Sequence, residues 1–123
     1  MSKNLQMTVL LDFYGQLLTP KQRDVMELYY YEDLSLAEIA EHENITRQGV
    51  HDFIKRSEIL LTEFEQKLML ADRFSRLNQS LDEIKSISED ISSAAVSVSA
   101  KNRKIYDNSC KISEIVDDIK KFI

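Results

Sequence analysis

Five polar residues whose side chains suit nucleic-acid contact lie within ten positions of one another: Arg47, Gln48, His51, Lys55 and Arg56. Arginine hydrogen-bonds well to guanine and glutamine to adenine at base edges in the major groove. Lysine and arginine also neutralise phosphates, which supplies much of the affinity for nucleic acid. We therefore expect the earlier residues of this set to meet bases and the later ones to meet phosphates, provided that one helix carries them all.

The residues around this set predict the elements that would position it. Ser35 and Glu38 form a capping-box pattern that should open a short helix, running from Leu36 to about His42. Asn44 suits the left-handed conformation that ends a helix, and Thr46 suits the N-cap of the next one. A short helix, a tight turn and a second helix are the layout of a helix-turn-helix, whose second helix reads the major groove with its first residues.

Spacing within the second helix separates an inner face from an outer face. Val50, Phe53 and Ile54 should face inward and lock the helix against its neighbour, with Ala40 small where the two helices cross and Ile45 filling the turn. An α-helix has 3.6 residues per turn, so the residues that follow Arg47 by one, four and eight positions lie near the same side of the helix as Arg47. That side carries Gln48, His51 and Lys55, which predicts one exposed polar strip.

Two further helices should precede this motif. The first is predicted from about Lys3 to Tyr14, with Gly15 ending it, and its inner face is Met7, Leu10, Leu11, Tyr14 and, beyond it, Leu18. Thr19, Pro20 and Gln22 carry the start signals of a second helix, namely an N-cap, a first-turn proline and a capping box. Its inner face is predicted as Val25, Met26, Leu28 and Tyr29. The N-terminal part should therefore be a four-helix domain.

Composition supports an all-α fold. The 123 residues include only 2 Gly and 1 Pro, too few for a sandwich or barrel with its frequent turns. One cysteine excludes an internal disulfide and favours a reducing compartment, and neither a signal peptide nor a membrane span is apparent, so a cytoplasmic location is expected. Serine rises from three residues before Phe74 to ten after it. We therefore predict a helix-turn-helix domain over 1–74 and a helical extension over 75–123.

The extension has a heptad pattern whose spacing alternates between four and three residues. Its fourteen positions are Leu77, Leu81, Ile84, Ser88, Ile91, Ala95, Val98, Asn102, Ile105, Ser109, Ile112, Val116, Ile119 and Ile123. One long helix would fit, and so would a hairpin broken between Ser92 and Ser99, where helix formers are weak; the hairpin is preferred. Because the apolar stripe needs a partner in either case, a coiled-coil-like homodimer is expected.

The order of these motifs resembles the bacterial YlxM family over about residues 5–75. The matching segments are Leu11–Arg23, Leu28–Tyr30, Glu32–Glu41 and Thr46–Glu58. The resemblance implies a fold similar to region 4 of RNA polymerase sigma factors. It also implies a regulatory role in the signal recognition particle pathway, with DNA, the particle's RNA or its protein as partner. Gly49, where alanine is more usual, and the long serine-rich tail depart from the family pattern.

Two other functional classes compete with nucleic-acid binding. A protein adaptor is favoured by the isoelectric point of about 5.0 and by five acidic residues before the second helix: Glu32, Asp33, Glu38, Glu41 and Glu43. An enzyme is disfavoured because the two histidines and Cys110 form no ligand or nucleophile pattern, and no glycine-rich phosphate loop exists. We expect no catalytic residue, no metal and no cofactor.

Overall fold

The computed structural model describes residues 4–96 and 100–123, apart from the side chains of residues 100 and 101. Every regular element in these ranges is helical, so the predicted all-α class is confirmed. The helices are α1 (Leu5–Tyr14), α2 (Pro20–Tyr30), α3 (Leu36–Glu43), α4 (Arg47–Leu68), α5 (Leu70–Ala94) and α6 (Ala100–Phe122), with a 3₁₀ turn at Gly15–Leu17 after α1.

The predicted starts of α2, α3 and α4 are confirmed. Thr19 and Gln22 form a reciprocal capping box at α2, and Ser35 and Glu38 form another at α3. At α4 the Thr46 hydroxyl accepts the Gly49 N–H at 2.9 Å. These interactions satisfy backbone donors that a helix start leaves free. The start of α1 differs, because this helix begins at Leu5, with Asn4 as its cap; Lys3 lies outside the described residues.

The helix ends follow the sequence signals less closely. Asn44 ends α3 with a φ of 56°, the left-handed conformation predicted for it. Gly15 follows the last residue of α1, as predicted, but with a φ of −54° it continues into the 3₁₀ turn. A Cβ on Gly15 would lie 3.2 Å from Leu11 Cδ1, so this buried glycine permits close packing. Met69 has a φ of 56° and separates α4 from α5. No glycine at this position signals the break in the sequence.

The core of the N-terminal part lies between α1, α2, α3 and α4. Its buried members, most of them predicted, are Met7, Leu10, Leu11, Tyr14, Leu18, Val25, Met26, Ile39, Val50, Ile54 and Leu61. Half-buried residues, including Ala40, Ile45 and Phe53, pack against this cluster. Burial of such side chains stabilises a fold by about 1.5–3 kcal/mol each, so the core fixes the orientation of the first half of α4.

A hydrogen-bond network joins α1 to the junction between α4 and α5. The buried Tyr14 hydroxyl donates to Glu65 Oε1 at 2.6 Å and accepts the Leu70 N–H at 2.9 Å. Glu65 Oε1 also accepts the Ala71 N–H at 3.0 Å. Burial and the Glu65 carboxylate raise the pKa of Tyr14. The network satisfies the first backbone donors of α5, which would otherwise lack partners beside the left-handed Met69.

The chain divides into two compact units, Met1–Ala71 and Asp72–Ile123. The second unit contains most of α5 and all of α6, which pair as an antiparallel hairpin. Ser88 donates to the Ser109 carbonyl, and Lys85 and Lys120 form ion pairs with Asp117 and Asp82 across the two helices. Two helices with a break are therefore observed in place of one rod. Residues 97–99, within the predicted break, lie outside the described residues, and so does the seam position Val98.

Candidate nucleic-acid interface

The turn between α3 and α4 is held by its own backbone. The Ile45 N–H reaches the Ala40 carbonyl at 3.1 Å. Ile39 on α3 and Val50 on α4 are both fully buried. The polar strip therefore begins on a helix whose start is capped and whose inner face is anchored. This is the arrangement that a recognition helix requires.

All five predicted contact residues, Arg47, Gln48, His51, Lys55 and Arg56, are exposed. Rotation of about 100° per residue places the first four within an arc of about 100° on α4. Arg56 lies about 180° from Arg47 by the same geometry, at the opposite edge of the exposed surface. The structure therefore brings four of the five residues together as one strip, with Arg56 beside the shallow cleft between α2 and α4.

Asp52 lies in the middle of this exposed surface and was not among the predicted contact residues. Its Oδ1 accepts from Gln48 Nε2 at 3.1 Å and lies 3.7 Å from His51 Nδ1. One of the two Gln48 amide hydrogens is thereby occupied, and a negative charge lies beside the predicted contact residues. The spacing of four residues from Gln48 was a sequence signal for this contact.

The cations of the N-terminal unit divide into paired and free ones. Lys21 donates to Glu43 Oε2 at 2.7 Å, and the same lysine holds the pKa of Glu43 below its usual range. Arg23 lies 4.0 Å from Glu27. Among the described residues, by contrast, no ion pair or hydrogen bond involves the side chain of Arg47, Lys55, Arg56 or Lys67, all of which lie on α4. The charges available to an external anion are therefore concentrated on α4.

An acidic surface precedes the strip along the chain. Glu32, Asp33, Glu38 and Glu41 are exposed, whereas Glu43 is largely covered and neutralised by Lys21. Glu38 accepts the Ser35 N–H in the α3 capping box, and this interaction lowers its pKa. The surface of the N-terminal unit therefore carries both acidic and basic side chains.

The described residues hold no cluster of three or more histidine, cysteine or acidic side chains that could bind a metal ion. His42 and His51 lie on different helices, and Cys110 lies on α6, 4.0 Å from the Ser92 hydroxyl. No helix within the described ranges is both long and apolar enough to cross a bilayer.

Comparison with known sequences supplies the family. Residues 1–102 match the profile of UPF0122, described as "Putative helix-turn-helix protein, YlxM / p13 like". The chain belongs to this family. The matched range includes all of the N-terminal unit, all of α5 and the first residues of α6, so the helix-turn-helix assignment covers the segment that carries the polar strip.

Individual UPF0122 proteins show the same relationship. The chain is 53% identical over 79 residues to a UPF0122 protein from Desulforamulus reducens, and the aligned segment covers 64% of this chain and 68% of that protein. It is 49% identical over 79 residues to one from Clostridium kluyveri, with 64% and 71% covered. With one from Acetivibrio thermocellus it shares 44% identity over 119 residues, 95% of this chain and 99% of the other. Similarity to that relative therefore extends into the helical hairpin.

Proposed function

We propose that this helix-turn-helix protein binds nucleic acid through the exposed strip of α4 and regulates a step of the signal recognition particle pathway. The observation that supports the proposal is the set of three free cations, Arg47, Lys55 and Arg56, on a helix with a capped start. Duplex DNA and the particle's RNA are the two candidate ligands. The fold relation to sigma factor region 4, the cytoplasmic location and a homodimer formed by residues 75–123 are parts of the same proposal.

Each polar residue on the exposed surface of α4, in the strip or beside it, has a distinct proposed role. Arg47 and Gln48, in the first turn of α4, reach base edges, where a good bidentate contact discriminates by about 1–3 kcal/mol. Lys55 and Arg56, about two turns later, contact phosphates and act on every sequence alike. His51 lies between them and contacts the same ligand. The negative charge of Asp52 repels phosphates. It therefore limits the affinity for nucleic acid of any sequence that makes no base contact with the strip.

Alanine substitutions at Arg47 and Lys55 test this division. The R47A variant should lose about 1–3 kcal/mol on a preferred sequence and flatten sequence preference. The K55A variant should weaken all sequences similarly and reduce the salt slope by about one unit. Fluorescence anisotropy on selected duplexes and on signal recognition particle RNA, at several salt concentrations, measures both effects.

Lys67 provides the matched control, because it is exposed on the same helix about 30 Å along the axis from Arg47. The K67A variant removes the same charge from α4 and should leave affinity unchanged. If R47A and K55A, both folded by circular dichroism, bind like the wild type, the strip is not the interface.

A protein adaptor of the same pathway is the second candidate, and a specific surface favours it. Glu32, Asp33, Glu38 and Glu41 form an exposed acidic surface that would repel nucleic acid and suits a basic protein partner. An apolar-lined cleft of about 430 Å³ also lies between α1 and α4, beside Met7, Leu10 and Met69. Adaptor binding through such a cleft should persist at high salt, whereas nucleic-acid binding should weaken steeply.

A further inference from the structure

Gln48 and Asp52 are neighbours on the exposed surface of α4, one helical turn apart. Gln48 Nε2 donates to Asp52 Oδ1 at 3.1 Å. His51 Nδ1 lies 3.7 Å from the same oxygen, which is longer than a hydrogen bond. Arg56 lies one turn further along and forms no ion pair with Asp52 among the described residues. The hydrogen bond of this carboxylate oxygen is therefore with the amide of Gln48.

The carboxylate decides which way round the Gln48 amide lies. An ionised carboxylate only accepts hydrogen bonds, so the amide nitrogen, and not the amide oxygen, must face Asp52. A glutamine amide has two N–H donors and one acceptor oxygen. With one N–H held by Asp52, the amide has one donor and the acceptor oxygen left for an outside ligand. A glutamine without this neighbour could offer both donors, or the same two groups in reversed order.

Gln48 also lies where a recognition helix reaches the bases. It is the second residue of α4, and both Gln48 and Asp52 are exposed. The Thr46 cap and the fully buried Val50 fix the backbone of this first turn. The first residues of a recognition helix contact base edges in the major groove. The remaining donor and acceptor of Gln48 are therefore set in order at the end of the helix that enters the groove.

Adenine is the base whose edge matches one donor and one acceptor. In the major groove adenine presents the acceptor N7 beside the donor N6–H, whereas guanine presents two acceptors, N7 and O6. Two hydrogen bonds to guanine would need both N–H groups of Gln48, and one of them is already held. Duplex RNA does not offer this edge, because its major groove is too deep and narrow for side chains to read.

We propose that Asp52 is a positioning residue, which holds the Gln48 amide in the order that reads adenine and rejects guanine in the major groove of duplex DNA. Asp52 takes the N–H that points away from the amide oxygen, and the other N–H and the oxygen meet the base. The inference rests on the proposed function and selects DNA over RNA as its ligand. Asp52 then has two opposed effects, since its charge weakens binding to every duplex while its hydrogen bond raises the preference for adenine.

Selection from a random duplex library, followed by sequencing, measures the base preferences of the full-length protein and its variants. The wild type should prefer adenine to guanine about tenfold at one position of its site, and Q48A should lose the preference at that position alone. D52A should lower the ratio of adenine to guanine there about fivefold, because both Gln48 N–H groups become free to meet guanine. D52A should also bind duplexes without that adenine about threefold more tightly, because a negative charge is removed.

Two further variants separate the hydrogen bond from the charge. Asparagine retains an oxygen that can accept from Gln48 Nε2, so D52N should keep the wild-type ratio of adenine to guanine while it gains affinity as D52A does. Glu63 is exposed on the same helix, about three turns beyond Asp52. E63A removes the same charge from α4 and should leave the ratio unchanged. Circular dichroism checks that all variants stay helical.

A base analogue tests the contact itself. An adenine analogue with carbon in place of N7, at the preferred position, should weaken wild-type binding about fivefold and leave Q48A binding unchanged. Equal effects on the two proteins would overturn the inference. So would a wild type without an adenine-specific position, a D52A protein that keeps the wild-type ratio, or a D52N protein that loses it. These outcomes leave DNA binding intact, whereas a wild type that binds no duplex would overturn the proposed binding of DNA together with the inference.

Discussion

Asp52→Asn should strengthen nucleic-acid binding. The Asp52 carboxylate lies on the exposed surface of α4 between the strip and Arg56, so the surface that carries Arg47, Lys55, Arg56 and Asp52 has a net charge of +2, and asparagine raises it to +3. Asparagine has the same shape and retains an oxygen that can accept from Gln48 Nε2, a bond of 3.1 Å in the native protein. The Asp52 side chain is 52% exposed and forms no ion pair with lysine or arginine among the described residues, so the fold should be unaffected.

The magnitude follows from Coulomb's law. A carboxylate roughly 7 Å from a bound phosphate repels it by about 0.6 kcal/mol at the dielectric constant of water. Removing that repulsion should tighten binding about threefold at low salt. Screening over a Debye length of about 10 Å at 0.1 M should reduce the gain as salt is added. The gain should therefore shrink along the salt titration without any change in sequence preference.

Asp107→Asn is the matched control. Asp107 is exposed on α6, where it lies 3.8 Å from Arg103, and its substitution changes the net charge of the chain by the same amount. Fluorescence anisotropy on one duplex and one RNA should therefore show tighter binding for D52N alone. Equal gains in both variants would mean that bulk charge, not the α4 strip, controls affinity. A D52N protein with unchanged or weaker binding would refute the placement of phosphates beside Asp52.

Three further predictions concern stability and organisation. Gly49→Ala should raise the free energy of unfolding by about 0.5 kcal/mol in urea, because alanine has the higher helix propensity. The gain is reduced because the new Cβ would lie only 3.1 Å from Thr46 Oγ1. A destabilised variant would show that the Thr46 cap of α4 cannot adjust to this contact. Tyr14→Phe should cost about 1–2 kcal/mol in the same assay, because Leu70 and Glu65 lose a buried partner; a change near zero would mean that the network is dispensable. A fragment of residues 1–74 should remain helical and monomeric; an unfolded or dimeric fragment would contradict the proposed division of the chain.

Local signals in the sequence were sufficient for the helix starts. Thr19, Ser35 and Thr46 each act through a bond to a residue three positions later, so the sequence holds both partners of every cap. The same reasoning found Asn44. It did not find Met69, whose left-handed conformation has no glycine signal. The Tyr14 network beside Met69 joins residues more than fifty positions apart, a separation that periodicity cannot reveal.

The candidate site and the hairpin show a second limit of prediction from the sequence. The exposure of Arg47, Gln48, His51 and Lys55 followed from the helical period, because the inner face of α4 was recognisable. The period could not show that Lys21 is already paired with Glu43, which lies on another helix. The heptad likewise identified a seam but not its partners, since the same spacing serves contact within a hairpin and contact with a second chain.

The salt dependence of binding tests the central claim most directly. Wild-type protein and a variant lacking the three unpaired cations of the first half of α4, R47A/K55A/R56A, would be titrated with one duplex and with signal recognition particle RNA between 50 and 300 mM salt. With three phosphates neutralised by each chain, the logarithm of the wild-type binding constant should fall with a slope near −2.7 on duplex DNA, about −0.9 per phosphate. The variant should show a slope near zero and little binding. Equal slopes for the two proteins, or wild-type binding that does not depend on salt, would contradict the account.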